Sequence, residues 1–324
     1  MVSLACEPKE CKLIKQAMVL AAGLGTRLSP ITYYTPKPLF PILNTPILKL
    51  ILEGPLKEFS KVIINSYHLS DQIALFIKNL YPHNSHILLI KEPHLLGTGG
   101  ALKNALSFMD QDSPILVYNA DIITDFNPSL LYNFHLNISR KYKAIATLLL
   151  HDHNAFNNIK CNTCNLYEDI TAFRIKSKNS LAYTGIMVIE PRFIKSFIKN
   201  KPCDIIDIFS KALMYGKKII GIKISKLVNH YIWEDIGTIR GYLNAHKLLL
   251  KSKNKKFYIP HELDIKRYRL TLLDWVCIGD NVLFKNTHPI IIKHSVIWSN
   301  TKIDNSFTYI NNMIITDKGI LELK

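Results

Sequence analysis

No apolar run in this 324-residue chain approaches the roughly 20 residues needed to span a bilayer. From Met1 to Lys15 charges alternate where a signal peptide would have its hydrophobic core, and Leu4-Ala5-Cys6 lacks the apolar stretch that precedes a lipidation site. These absences predict a cytoplasmic protein with no membrane partner. Cysteine is sparse, with six scattered residues that fit reduced thiols. His151, His153, Cys161 and Cys164 form the one grouping with a zinc-like Cys-x-x-Cys pair. Against zinc, His151 ends a strand-like run, Ala144 to Leu150, and Cys161 to Asn165 reads as a turn. Acidic residues are outnumbered, 25 against 41 Lys and Arg, for a formal charge of +16. The basic residues are spread, however, with only Lys251 to Lys256 forming a dense run. The basic patch interleaved with aromatics that a nucleic-acid binder needs is missing. The expectation is no nucleic-acid partner and a basic surface that draws in small anionic substrates.

Two familiar phosphate motifs are also missing. The run Leu20-Ala21-Ala22-Gly23-Leu24-Gly25-Thr26-Arg27-Leu28 is followed by no Gly-Lys-Ser/Thr, and Leu28 stands where a dinucleotide fingerprint has its third glycine. What remains is a glycine loop leaving a hydrophobic strand, with Thr35-Pro36-Lys37-Pro38-Leu39 a few residues on. Glycines at 23 and 25 let backbone N–H groups close around phosphate oxygens, and Arg27 and Lys37 bring positive charge to the same place. This pairing points to an enzyme that holds a nucleoside triphosphate.

Strand-length apolar stretches at Ala17 to Ala21, Lys61 to Asn65, His86 to Ile90, Ile115 to Tyr118 and Ala144 to Leu150 alternate with longer segments. Those segments, Pro46 to Phe59, Asp71 to Leu80, Gly99 to Met109 and Ser129 to Ile138, carry apolar residues at helical spacing. The alternation predicts an α/β fold with a Rossmann-like mixed, mostly parallel sheet covered by helices on both faces. Ligands in such sheets sit at the carboxyl ends of the strands, where the glycine loop falls. Further strands are expected at Leu181 to Ile189 and Lys218 to Ile224, with helices at Ile205 to Tyr215 and Ile239 to Leu250. From Cys277 to Thr316, turns and aliphatics near six-residue spacing suggest a few coils of a left-handed β-helix-like segment. The chain is thus divided into an N-terminal extension at 1–16, a catalytic domain at 17–250, and a linker with the β-helix-like segment at 251–324.

Asp121, at the end of the buried run Ile115 to Tyr118, is placed to bind Mg²⁺ while nucleotide phosphates complete the shell. Asp235 in Trp233-Glu234-Asp235-Ile236-Gly237-Thr238 is a second candidate; the alternative is a turn or cap acid at Asp121 and a helix N-cap at Asp235, although Thr238 is better placed for the latter.

In this order the motifs resemble those of the sugar-1-phosphate nucleotidylyltransferases, over about Ala17 to Leu250. The phosphate loop and Lys37 match, Glu92-Pro93 with Leu96-Gly97-Thr98-Gly99-Gly100 is similar to the segment around the nucleobase, and Asp121 and Asp235 fall where the family has its metal-binding acids. The resemblance implies that Leu20, Ala22, Gly23, Gly25, Thr26, Glu92, Gly97 and Thr98 bind the nucleotide. Arg27 and Lys37 would then grip the triphosphate, and Mg²⁺ on Asp121 and Asp235 would serve the transfer of a nucleoside monophosphate to a sugar 1-phosphate. On the sugar-phosphate side it implies Lys176, Thr184 and Gly185. There the chain departs from the family: Phe173-Arg174-Ile175-Lys176-Ser177 replaces Phe-x-Glu-Lys-Pro, and Tyr183-Thr184-Gly185 replaces Asn-x-Gly.

A carboxylate at Glu92 facing the base edge accepts from both N1–H and the N2 amino group of guanine, whereas uracil and thymine offer one such donor. GTP is therefore the favoured donor, ahead of UTP or dTTP, for an activated sugar used in polysaccharide or lipopolysaccharide assembly. A rival reading is a non-catalytic regulatory subunit, which would be free to lose Arg27, Lys37 or Asp121; this chain keeps all three. Homo-oligomer contacts are expected through the C-terminal segment.

Overall fold

The computed structural model describes residues 14–83 and 85–323. The expected N-terminal extension lies mostly outside the described residues. Short runs rich in Ile, Val and Leu make the strands β1 (Gln16–Leu20), β2 (Lys61–Ser66), β3 (Ile87–Lys91) and β4 (Ile115–Asn119). A three-residue strand β5 (Ile122–Thr124) follows β4 almost at once. Later in the chain come β6 (Ala144–His151), β7 (Ile159–Thr163), β8 (Glu168–Phe173), β9 (Ser180–Ile189), β10 (Lys218–Lys223) and β11 (Trp233–Asp235). Among the described residues the main sheet has nine strands in the order β3-β2-β1-β4-β9-β6-β10-β8-β7. Its first four strands are parallel, as are β6 and β10, while β9 runs antiparallel between β4 and β6.

Seven helices among the described residues cover the sheet: α1 (Ile47–Glu53), α2 (Ser70–Leu80), α3 (Gly97–Ala105), α4 (Ser129–Tyr142), α5 (Pro191–Phe197), α6 (Ile205–Met214) and α7 (Ile239–Ser252). Alternation along β1 sends Ala17 and Val19 into a core with Leu48, Leu131 and Tyr242 from α1, α4 and α7. Met18 points the other way, into a core with Leu102, Ile194 and Phe209 from α3, α5 and α6. Helices therefore lie on both faces, as the pattern predicts. The strand at Cys161 corrects the turn expected there: Cys161 is buried within β7, and the turn falls after it.

Beyond α7 the chain turns β-rich, with β12 (Leu270–Ile278), β13 (Ile290–Ile297), β14 (Met313–Thr316) and β15 (Gly319–Glu322). β12, β13 and β14 pair in parallel, with partners such as Val276 and Ser295, or Val296 and Ile314. This sheet has its own Ile-rich core, yet Trp298 reaches into the main core, where its ring meets Phe40 edge-on at 4.8 Å and its Nε1–H donates to Tyr242 Oη at 3.0 Å.

Candidate active site

The carboxyl end of β1 opens into the glycine loop, which closes in a single 3-10 turn at Thr26–Leu28. Gly25 has φ +65°, and a Cβ there would come within 2.9 Å of Thr32 Cγ2 and 3.5 Å of Lys37 Cβ, so the turn and the Lys37 segment meet because this position carries no side chain. The start of the loop is tied down by a buried relay. Ala21 N–H donates to Asn65 Oδ1 at 2.8 Å, Asn65 Nδ2 donates to Glu92 Oε1 at 2.6 Å, and Leu96 N–H donates to Glu92 Oε2 at 3.2 Å. Glu92 is thus a brace between the loop and the segment that opens α3, with one lone pair on each oxygen still uncommitted. It also lines a cavity of about 240 Å³ with Leu20, Ala22, Gly23, Gly97 and Thr98.

A second cavity, about 200 Å³, is lined by Gly25, Thr26, Arg27, Lys37, Asp121 and Gly237. Here Lys37 Nζ lies 2.8 Å from Asp121 Oδ2. An ideal Cβ on Gly237 would stand 2.4 Å from Arg27 Nη2, which places the guanidinium directly against the chain that follows Asp235.

Asp235 arrives through a two-stranded ribbon. β11 pairs antiparallel with β5, setting Asp235 opposite Ile122, the neighbour of Asp121, and Ile236 N–H donates to the Asp121 carbonyl at 3.0 Å. Thr238 caps α7 by accepting from Gly241 N–H at 3.0 Å, which leaves Asp235 free of that duty. Asp235 Oδ1 instead accepts from Gly237 N–H at 2.7 Å. Burial pushes the neighbouring Glu234 carboxyl up to about 7, while Asn244 donates to it and Asp235 repels its charge. The two aspartates face a third cavity, about 290 Å³, together with Arg174, Tyr183, Gly185 and Trp233. Asp121 and Asp235 put two hard oxygen donors on one cavity, a donor set that fits Mg²⁺, and they would hold the ion there.

All three cavities share Asp121. Arg27, Lys37, Asp121, Asp235, Gly185 and the eight expected nucleotide-side residues all line one or another of them. Two expected sugar-phosphate residues do not. Lys176 is exposed in the loop after β8 and lines no part of the cavity; Arg174 does, in ion pairs with Asp204 at 2.8 Å and Asp207 at 2.5 Å. Thr184 is fully buried and donates its hydroxyl to the Leu149 carbonyl at 2.9 Å, so it ties β9 to β6. The Thr184 carbonyl accepts from Trp233 Nε1–H at 2.8 Å and so holds the strand that carries Asp235. Among the described residues, no group of three or more His, Cys, Asp or Glu side chains is placed to hold a metal. His151 and His153 pack against Trp233 instead of meeting Cys161 and Cys164, and burial pulls the His151 imidazole down to about 4.

Sequence reasoning overlooked Asn65 and Trp233. A lone Asn in the run Val62 to Asn65, at the carboxyl end of a buried strand beside the glycine loop, was a signal for the first. Gly97, Gly99 and Gly100 also have a reason the sequence hid: Cβ atoms at 97 and 99 would meet Cys203 O at 2.6 Å and Cys203 Sγ at 2.8 Å, and one at 100 would meet Lys201 O at 3.0 Å.

Several known proteins are similar to this chain in sequence or in fold. A uridylyltransferase for UTP and glucose 1-phosphate from Synechocystis is 26% identical over 264 residues, 76% of this chain and 66% of its own length. A mannose-1-phosphate guanyltransferase from Debaryomyces hansenii is 25% identical over 253 residues, 74% of this chain and again 66% of its own length. The chain therefore spans just under two thirds of either relative. Among solved structures, a UDP-glucose pyrophosphorylase complexed with UDP-glucose superposes with a TM-score of 0.59 at 18% identity, covering 74% of this chain and all of that one. HddC from Yersinia pseudotuberculosis, complexed with GMP-PN, gives 0.57 at 20% identity over 73% of this chain and all of that one. Residues 16–252, from the first strand to the last helix of the α/β unit, match the family described as Nucleotidyl transferase, and the chain belongs to that family.

Proposed function

We propose that this chain transfers a nucleoside monophosphate from a nucleoside triphosphate to a sugar 1-phosphate and releases pyrophosphate. The observation that carries the reading is the meeting of three cavities at Asp121. One, edged by Glu92, Gly97 and Thr98, takes the base and ribose; one, edged by Arg27 and Lys37, takes the triphosphate; one, edged by Tyr183, Gly185 and Asp235, takes the sugar phosphate. The α-phosphorus then sits where all three join. A sugar-phosphate oxygen attacks it in line, the new P–O bond forms as the α–β anhydride breaks, and pyrophosphate leaves on the side of Arg27. Both reactants are anions, so Arg27 and Lys37 lower the barrier by neutralising charge, and the rigid loop lowers it by positioning. Mg²⁺ held by Asp121 and Asp235 supplies further charge neutralisation when bound.

We assign GTP as the favoured donor, on the uncommitted lone pairs of Glu92 at the base cavity. The product is then a GDP-sugar for polysaccharide or lipopolysaccharide assembly. The division at 17–250 and 251–324 is part of this proposal. In it the parallel strands β12 to β14, with the two-residue strands Leu283–Phe284 and Lys302–Ile303, are coils of a left-handed β-helix, supported by pairings one coil apart such as Leu283 with Lys302 and Val296 with Ile314. Contacts between copies are assigned to this segment.

The test is pyrophosphate release with each of GTP, UTP, dTTP, ATP and CTP against a panel of sugar 1-phosphates, with Mg²⁺ and with EDTA. Magnesium-dependent turnover with GTP is expected. Turnover with UTP or dTTP alone would overturn the role given to Glu92 and keep the reaction; binding of nucleotide without turnover by any pair would overturn the reaction.

A further inference from the structure

At the end of the main sheet away from the three cavities lies a broad groove of about 1090 Å³. Its polar lining includes five cations from three elements: Arg140 and Lys143 at the end of α4, Arg192 on α5, and Lys217 and Lys218 where β10 begins. Arg192 is partly balanced by Glu190 at 3.6 Å and Lys218 by Asp169 at 3.4 Å. Arg140, Lys143 and Lys217 have no acidic partner among the described residues. Cations at the end of α4 are favoured by the helix dipole, which accounts for Arg140 and Lys143. It does not account for Lys217 or Arg192, which reach the groove from other elements.

A second observation adjoins the first. Met214 and Tyr215, just before Gly216 and Lys217 of the groove, are 85% and 76% exposed, the two most exposed large apolar side chains among the described residues. Tyr215 rests its ring against Phe197 of the groove wall at 5.9 Å. A soluble anion has no use for a protruding methionine and tyrosine. An anionic bilayer uses both features, since its headgroup phosphates meet the cations while the apolar tips enter the interface.

We propose that this pole of the molecule docks on an anionic membrane surface. Among the described residues no helix is long and apolar enough to cross a membrane, so the contact proposed is peripheral, and it departs from the expectation of no membrane partner. Docked in this way, the enzyme turns its substrate cavities, at the opposite end of the sheet, toward the aqueous phase.

The experiment is co-sedimentation of the full chain with phosphatidylcholine vesicles, with and without phosphatidylglycerol, at low and at raised chloride. Binding is expected only to the anionic vesicles and to fade with salt. Each basic group near such a surface is worth a factor of about five in partitioning, so Arg140→Glu with Lys217→Glu should weaken binding at least about twentyfold. Met214→Ser with Tyr215→Ser should weaken it about tenfold. Both double variants should keep wild-type pyrophosphate release, which reports that they are folded. Lys251→Glu with Lys253→Glu removes as much charge from an exposed run elsewhere; an equal loss of binding in that variant would make the attraction a property of net charge and overturn the proposal. So would an absence of sedimentation at low salt, or displacement by inorganic phosphate beyond what chloride of the same ionic strength achieves, which would make the groove a site for soluble phosphate.

Discussion

Gly237→Ala perturbs the placement of Arg27 most and that of Asp235 beside it. The new methyl would sit 2.4 Å from Arg27 Nη2 and 2.8 Å from Asp235 Oδ1, against an ordinary contact distance of 3.4 Å or more. The backbone at 237 needs no positive φ, so alanine strains no dihedral there, and Arg27 Nη2 is the far end of a flexible side chain. The guanidinium must therefore retreat by about 1 Å, the displacement that costs about a hundredfold when a group is positioned on a reacting phosphate. Steady-state pyrophosphate release should show kcat/KM down by about 100-fold while the melting temperature moves by no more than a few degrees. Arg27→Ala with Gly237→Ala should fall short of the product of the two single losses, because part of the Gly237→Ala effect runs through the guanidinium that Arg27→Ala removes, and the loss that remains reports the crowding of Asp235. Wild-type kcat/KM in Gly237→Ala would refute the reasoning: it would mean that Arg27 takes up its working position elsewhere.

Lys37→Met should lower kcat by 10²- to 10³-fold with the fold retained, since it removes the ammonium that faces both Asp121 and the triphosphate cavity; a loss under threefold would remove Lys37 from the chemistry. Asp235→Asn should raise the Mg²⁺ concentration for half-maximal rate at least about tenfold, read from a metal titration after EDTA treatment. Thr184→Val should cost about 1 kcal/mol or more in urea unfolding and leave the KM for sugar phosphate unchanged, because its hydroxyl serves the Leu149 carbonyl; a raised KM at unchanged stability would restore it to the sugar site. Burial pulls the fully enclosed His246 down to about 4 from an ordinary 6.5. Below pH 6.5 the unfolded chain takes up a proton that the folded one refuses, so stability is lost as pH falls from 6.5 toward 4 and is flat above it. Between pH 7.5 and 5 this group accounts for about 2 kcal/mol, and His246→Gln should flatten the unfolding profile by about that amount.

Where the sequence was legible, one physical rule decided the outcome. Buried parallel strands are unbroken runs of β-branched and aliphatic residues, so β1, β2, β4 and β6 stand within a residue or so of their expected places. Helix α1 stops at Glu53 instead of running to Phe59 because Gly54-Pro55 interrupts it. The ribbon of β5 and β11 has three residues per strand, drawn from segments over a hundred residues apart, and no local pattern announces such a pairing. The same limit explains the sugar side. The family resemblance implied Lys176 beside a phosphate, but the direction of a loop side chain is a tertiary property, and Arg174 faces the cavity in its stead. Thr184 lies next to Gly185, yet successive residues of a strand point to opposite faces, and only Gly185 fronts the cavity.

The contact of Trp298 with Phe40 and Tyr242 gives the C-terminal sheet a mechanical part in the work of the distant loop. Phe40 is the residue that closes the short turn carrying Lys37, and the Tyr242 hydroxyl, held by Trp298, donates to the carbonyl of Pro41. Ser299 Oγ donates to Asn44 Oδ1 at 2.6 Å and grips the same stretch from its other side. The β-rich segment is thus a splint behind the lysine, fastened to it by an aromatic joint. A chain cut before β12 would keep every group that lines the three cavities and lose the stiffness with which one of them is aimed.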